Sequence, residues 1–119
     1  LKGISEDQLQ MAAMRWIRLA YPNAVSFHVA NERKTSPMRG GKLKKMGVLA
    51  GVPDIHILEP SKIYCGLFIE LKTEKGRLTP SQKDVIERIE NAGYKCAVCR
   101  SLSEVICLVD DYFDWCACF

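Results

Sequence analysis

Near the start of the chain, Leu9, Ala12, Ala13, Trp16, Ile17 and Ala20 recur at helical spacing and fall on one face of a predicted helix. Ser5 precedes them as an N-cap residue with Gln8 three positions on, the pattern of a capping box. Pro22 ends the run. The pattern then changes to that of strands, over residues 24–30 (AVSFHVA), 52–58 (VPDIHIL) and 67–72 (LFIELK). The short connector EPSKIYCG makes the last two an antiparallel, hairpin-like pair. Thr79, Pro80 and Gln82 supply N-cap, N1 and N3 of a further helix. Val85, Ile86, Ile89 and Ala92 form its buried stripe, and Gly93 is its C′ residue. Residues 94–99 predict a fourth strand. Ser101 or Ser103 opens a last helix with Val105, Ile106, Leu108, Val109 and Phe113 inward. Residues 31–51 are Gly-rich and show no clear period, with a short helix expected over 42–50. A connection this long points to a functional loop. The resulting order is α-β-β-β-α-β-α, an α/β fold with a central mixed sheet flanked by helices.

The chain has 119 residues, 48% of them hydrophobic, which suffices for one core and argues for a single domain over 1–119. It contains no apolar run long enough for a transmembrane helix and no internal repeat. The polar, acidic N-terminus (LKGISEDQLQ) is unlike a signal peptide. The expectation is a soluble, cytoplasmic protein that starts at or near its native N-terminus. The net charge of +3 is too small to argue for nucleic acid, but the charge is unevenly placed. Residues 33–45 hold Arg33, Lys34, Arg39, Lys42, Lys44 and Lys45 with no acid, whereas the chain after Asp110 is acidic. A local basic segment can hold a phosphate backbone; a solvated basic loop explains the charges equally well. Six cysteines in a chain without an export signal argue against a disulfide framework. Cys96 and Cys99, with Cys116 and Cys118, have the spacing of a four-thiolate zinc site. Cys96 and Cys99 lie in a predicted strand, however, where residues three apart face opposite ways. A role as small buried hydrophobes fits better.

The third strand carries the clearest chemistry. In Leu67-Phe68-Ile69-Glu70-Leu71-Lys72, alternation puts Glu70 and Lys72 on the same face, at the end of an otherwise apolar strand. Such charges are costly to bury without a purpose, and the alternative is a strand end that emerges into solvent. The second strand shifts that balance, because Asp54, just after Pro53, can pair beside Glu70. Two adjacent carboxylates repel unless a proton or a cation lies between them. A hard divalent cation such as Mg²⁺ takes oxygen ligands of this kind. Lys72 could then hold an attacking water or neutralise charge developing on a phosphate. His28 and His56 lie on strands, with His56 on the Asp54 side by alternation; hydrogen-bonded structural roles suit both better than a role as base. Trp16 reads as core. Trp115, Cys116, Cys118 and Phe119, with Tyr112 and Phe113, form an apolar C-terminal stretch for the core or a second subunit.

Pro53-Asp54 followed by Glu70-Leu71-Lys72 resembles the PD-(D/E)xK nuclease motif. Its surroundings resemble the VRR-NUC branch of that superfamily: Gly51-Val52-Pro53-Asp54, Phe68-Ile69-Glu70-Leu71-Lys72, Gly76 to Gln82 (GRLTPSQ), Glu6 and Gln10 on the first helix, and Asn31-Glu32 after the first strand. The resemblance runs from about Glu6 to the final helix and matches the stand-alone form found in phages and bacteria. It implies a restriction-endonuclease-like fold and an Mg²⁺- or Mn²⁺-dependent DNA endonuclease acting on branched or structured DNA, such as Holliday junctions. Asp54, Glu70 and the Leu71 carbonyl would bind the metal, with Glu6 reaching it directly or through water. Lys72 would be the catalytic lysine, and Gln82 would flank the site as well as cap its helix. Gln10, Asn31, Arg33, Lys34, Arg39, Lys42, Lys44 and Lys45 are the candidate DNA contacts. A homodimer would suit a symmetric junction. The alternatives are a flap or nicking nuclease acting with a partner protein, and a non-catalytic DNA-binding module.

Overall fold

A computed structural model describes residues 3–30 and 37–117, with side chains described for 3–30 and 38–114. Its elements are α1 (Glu6–Ala20), β1 (Ser26–His28), α2 (Pro37–Lys45), β2 (Ile55–Ile57), β3 (Leu67–Leu71), α3 (Pro80–Asn91), β4 (Lys95–Cys99) and α4 (Leu102–Ala117). The four strands form one mixed sheet in the order β1-β2-β3-β4. β1–β2 and β2–β3 are antiparallel, and β3–β4 is parallel, connected through α3.

Both expected capping boxes form. Ser5 Oγ accepts from the Gln8 N–H and the Ser5 N–H donates to Gln8 Oε1; Thr79 and Gln82 do the same at the start of α3. Ser101, not Ser103, precedes α4, and its hydroxyl accepts from the Glu104 N–H. Gly93 follows the α3 C-cap with φ +98°, the left-handed geometry that glycine adopts without a Cβ penalty.

The basic connection differs from expectation. Its helix covers Pro37–Lys45 instead of 42–50. Proline's fixed φ suits a first helical position, and Gly47, at φ +101°, stands just past the helix end. The strands are also shorter than predicted, because pairing is limited to three residues in β1 and in β2.

One face of the sheet carries the core. Ile55, Ile57, Leu67, Ile69, Leu71 and Cys99 pack there with Leu9, Ala13, Met14 and Ile17 of α1 and Val105, Val109 and Tyr112 of α4. Tyr21, just beyond α1, stacks on Phe113 with ring centroids 3.9 Å apart, and its hydroxyl donates to Asp110. Trp16 packs against this core half-buried. On the other face, Phe27, His56, Phe68 and Tyr94 form a row of ring contacts across the strands, edge-to-face at both ends and tilted between His56 and Phe68, and α3 packs against β4. α3 buries Val85, half-buries Ile86 and Ile89, and leaves Ala92 exposed, so its stripe is one residue shorter than expected. Cys96 pairs in register with Phe68 whereas Cys99 lies in the core, as strand alternation requires. Burial pushes both thiols up to about 12. Cys118 lies outside the described residues. No described helix is long and apolar enough to cross a membrane.

Candidate active site

Asp54, Glu70 and Lys72 come together at the C-terminal end of β3. The strand end does not emerge into solvent: Asp54 is 8% exposed, Glu70 2% and Lys72 9%. Asp54 immediately precedes β2, where the antiparallel register with β3, Ile55 opposite Ile69, brings it level with Glu70. Its Oδ2 accepts the Leu71 N–H at 2.7 Å. The backbone around Asp54 is held from several sides. Its carbonyl accepts from the Val29 N–H at 3.2 Å and from His28 Nδ1 at 2.8 Å, and the Pro53 carbonyl accepts from His56 Nε2 at 3.1 Å. A carbonyl only accepts, so these bonds put the hydrogen on Nδ1 of His28 and on Nε2 of His56. Both histidines act as struts of the Pro53-Asp54 turn. Burial lowers the His56 pKa.

Glu70 Oε1 accepts from Gln82 Nε2 at 3.1 Å and lies 4.0 Å from Lys72 Nζ. Its Oε2 is buried and receives no donor. Burial raises the Glu70 pKa to about 8; the Asp54 charge and carboxyl–carboxyl hydrogen bond and the Glu6 charge add to this, and Lys72 opposes it. Glu70 therefore holds its proton well above the ordinary carboxylate range, a common response of an acid buried beside another carboxylate. Glu6, at the first position of α1, lies within electrostatic reach of Glu70. Among the described residues no three His, Cys, Asp or Glu side chains converge as a metal cluster. The acidic centre is the Asp54–Glu70 pair.

Gln82 has a double role. Its Oε1 accepts the Thr79 N–H at 2.9 Å, which fixes the direction of the amide and aims Nε2 at Glu70. The start of α3 is itself held by Gly51. A Cβ on Gly51 would stand 2.5 Å from the Ser81 carbonyl oxygen and 2.9 Å from the Gln82 nitrogen, and its φ is +89°. Only glycine permits this contact between the turn bearing Asp54 and the helix that orients Glu70. Behind Lys72, Arg100 binds the Thr73 carbonyl at 2.8 Å and also the Gly76 carbonyl, tying down the turn that follows β3. Gly76 lies close enough to the Lys72 stem that a Cβ there would sit 3.4 Å from Cδ. Sequence reading treats Gly51 and Gly76 only as parts of a motif and passes over Arg100. No local signal marks an arginine whose partners lie more than twenty residues away.

Asp54 and Glu70 line a cleft of about 650 Å³, bounded by α2, residues 48–52 and the first turns of α3. Of the expected DNA-contacting residues, Lys44 lines it. Arg39, Lys42 and Lys45 lie elsewhere on α2, and Lys42 and Lys45 are exposed. Gln10 is half-buried on α1 and its Nε2 is a buried donor with no acceptor. It does not line the cleft. Asn31, Glu32, Arg33 and Lys34 lie outside the described residues.

Comparison with known proteins agrees with this geometry. The family model of the VRR-NUC domain matches residues 4–102. A solved structure described as a VRR_NUC domain protein superposes with a TM-score of 0.76 at 31% identity, covering 97% of this chain and 93% of that one. A second, described as a VRR_NUC domain, has a TM-score of 0.58 at 21% identity over 90% of this chain and 96% of that one, a likeness of fold. No match was found among curated proteins. The match over most of the chain, together with the PD and ELK residues meeting at one end of the sheet, shows that this chain belongs to the VRR-NUC family of nuclease domains, within the PD-(D/E)xK superfamily.

Proposed function

We propose that the protein is an Mg²⁺- or Mn²⁺-dependent DNA endonuclease that hydrolyses phosphodiester bonds in branched or structured DNA, with four-way junctions as its leading substrate. The observation that carries this reading is the buried Asp54–Glu70 pair beside Lys72, with Glu70 Oε2 receiving no donor. A site built only for structure would neither leave an acceptor unsatisfied at that depth nor bury two carboxyl groups side by side. The donor set fits a hard divalent cation: two carboxylates and, on the Asp54 side of β3, the Leu71 carbonyl. That carbonyl points the same way as the Leu71 N–H, as both groups of one strand residue do. Glu6 would complete the set through water. When bound, the cation supplies Lewis acidity toward the phosphate and acidifies the attacking water.

The chain's own groups do the rest. Lys72 holds its ammonium beside Glu70, where it can orient the water and offset negative charge growing on the phosphoryl oxygens. Gln82 keeps the Glu70 carboxylate in one rotamer. Asp54 is held through its backbone and by the Leu71 N–H. Lys44 in the cleft wall, with Arg39, Lys42 and Lys45 nearby, offers phosphate contacts. A homodimer would present two such sites to a symmetric junction.

The test uses a labelled four-way junction and a matched linear duplex, each with Mg²⁺, Mn²⁺ or EDTA. Paired, metal-dependent cuts in the junction that disappear with Lys72→Ala support the reading. Cutting of a flap but not a junction would move the substrate to a flap or nicked DNA. Binding without cutting in any metal, retained in Glu70→Ala, would make the domain a binding module.

A further inference from the structure

The cleft above the acidic pair has two kinds of wall. Near the floor are carboxylates and the polar start of α3; the rest is apolar, formed by Leu43, Val48, Leu49, Val52 and Val85. Val48 and Leu49 are each 48% exposed, so they are not core residues that happen to border a void. Lys44 is the one cationic side chain among the described residues lining the cleft. A groove that only tracked a phosphate backbone would be lined by donors throughout.

Resting on the nuclease reading above, we infer that this apolar wall receives one unpaired DNA base next to the scissile phosphate, so that the strand is cut at a nucleotide taken out of the helical stack. Three observations support this. The carboxylates are nearly buried, so the phosphate must enter between α2 and α3 instead of lying across an open face. A stiff paired duplex brings its phosphate in together with the stacked bases on either side. A nucleotide turned out of the stack brings one base, which needs an apolar or aromatic surface to replace the stacking it has lost. The cleft, at about 650 Å³, lies within the roughly 300–1,000 Å³ of pockets that enclose small ligands. The apolar wall and the acidic floor are continuous, so base and phosphate of one nucleotide can occupy them together. Unstacking is easiest at branch points, flaps and mismatches, so the wall would itself select structured DNA. Duplex DNA without a distortion would be a poor substrate because the enzyme must first open it.

The experiment places 2-aminopurine at the branch point of a junction and at the matching position of a fully paired duplex. The Lys72→Ala protein holds the substrate uncut for fluorescence, and wild type measures cutting. The double variant Val48→Ser/Leu49→Ser is made in both backgrounds; both residues are half exposed, and an unchanged melting temperature confirms that it folds. The expected result is a several-fold fluorescence rise on binding that the serine pair abolishes. Wild type should also cut a substrate with one unpaired nucleotide at the cleavage position at least about tenfold faster than its paired counterpart, and the serine pair should erase that preference. Metal-dependent cutting with unchanged fluorescence and no such preference overturns the base pocket and leaves the nuclease reading intact. A fluorescence rise without cutting by wild type in any metal supports the pocket and overturns the nuclease reading. Neither signal overturns both.

Discussion

Glu70 is held in a state that opposes its proposed work. Burial and the neighbouring Asp54 raise its pKa from 4.5 to about 8, so the folded protein binds its proton more tightly than the unfolded chain does. Stability from this group is fully present below about pH 4.5 and is lost as the pH rises through about 8. Without metal, the melting temperature should therefore fall between pH 5 and pH 8, and Glu70→Gln should flatten that part of the profile. Added Mg²⁺ should raise the melting temperature of wild type more at pH 8 than at pH 5, since cation and proton compete for the same oxygens. A wild-type profile no steeper than that of Glu70→Gln would contradict a raised Glu70 pKa at this site. For Lys72→Ala, the loss of a group that stabilises developing charge predicts a fall in cleavage of about 10²–10³-fold or more, with DNA binding nearly retained. Equal losses of binding and cutting would make Lys72 a DNA contact instead.

Among the elements, the decisive contact is between the Gly51 turn and the first turn of α3. Gly51→Ala places a Cβ against backbone that cannot yield, at a φ unfavourable for alanine. The expected cost is about 1–3 kcal/mol in urea unfolding, with cleavage lost out of proportion to stability. Displacing α3 would draw the Gln82 amide away from Glu70. Unfolding and cleavage measured on one preparation separate these effects. Thr79→Ala probes the same link more gently: loss of the cap should cost about 0.5–2 kcal/mol. Thr79 keeps its backbone N–H in this variant, so Gln82 stays aimed and activity should drop less than with Gln82→Ala. Arg100 holds the turn behind Lys72 through carbonyls alone, so its contribution should survive replacement by lysine only in part.

For the whole molecule, both carboxylates stand at the base of one cleft while the core lies on the opposite face of the sheet. Catalytic substitutions should therefore leave the core intact. We propose that the chain folds as one domain, so chemical unfolding should proceed in one cooperative transition. Lys44 lines the cleft, so Lys44→Ala should lower the salt-dependence slope of DNA binding by about one phosphate contact. Lys42→Ala should change it less. Sedimentation at micromolar concentration tests the proposed homodimer; a monomer that still resolved junctions with paired cuts would remove the need for two-fold symmetry.

Much of this was legible along the chain because it is local. Capping boxes at Ser5 and Thr79 involve partners three residues apart, and alternation in residues 67–72 puts Glu70 and Lys72 on one face whatever the rest of the fold does. The antiparallel pairing that brings Asp54 to Glu70 was also readable, because one short connector joins the two strands. Sequence periodicity misplaced the helix of the basic segment, where Pro37 and Gly47 governed the ends and the apolar pattern was too weak to show it. Tertiary structure alone decided how deeply the acids are buried, and with it the raised pKa of Glu70, because burial depends on what α1 and α3 cover from far along the chain. It likewise decided the roles of Gly51, Arg100 and the two histidine struts, whose partners lie at separations that no local pattern encodes. The apolar wall of the cleft belongs to the same class: Val48 and Leu49, inside the helix expected over 42–50, carried no assigned role until α2 and α3 set them beside the carboxylates.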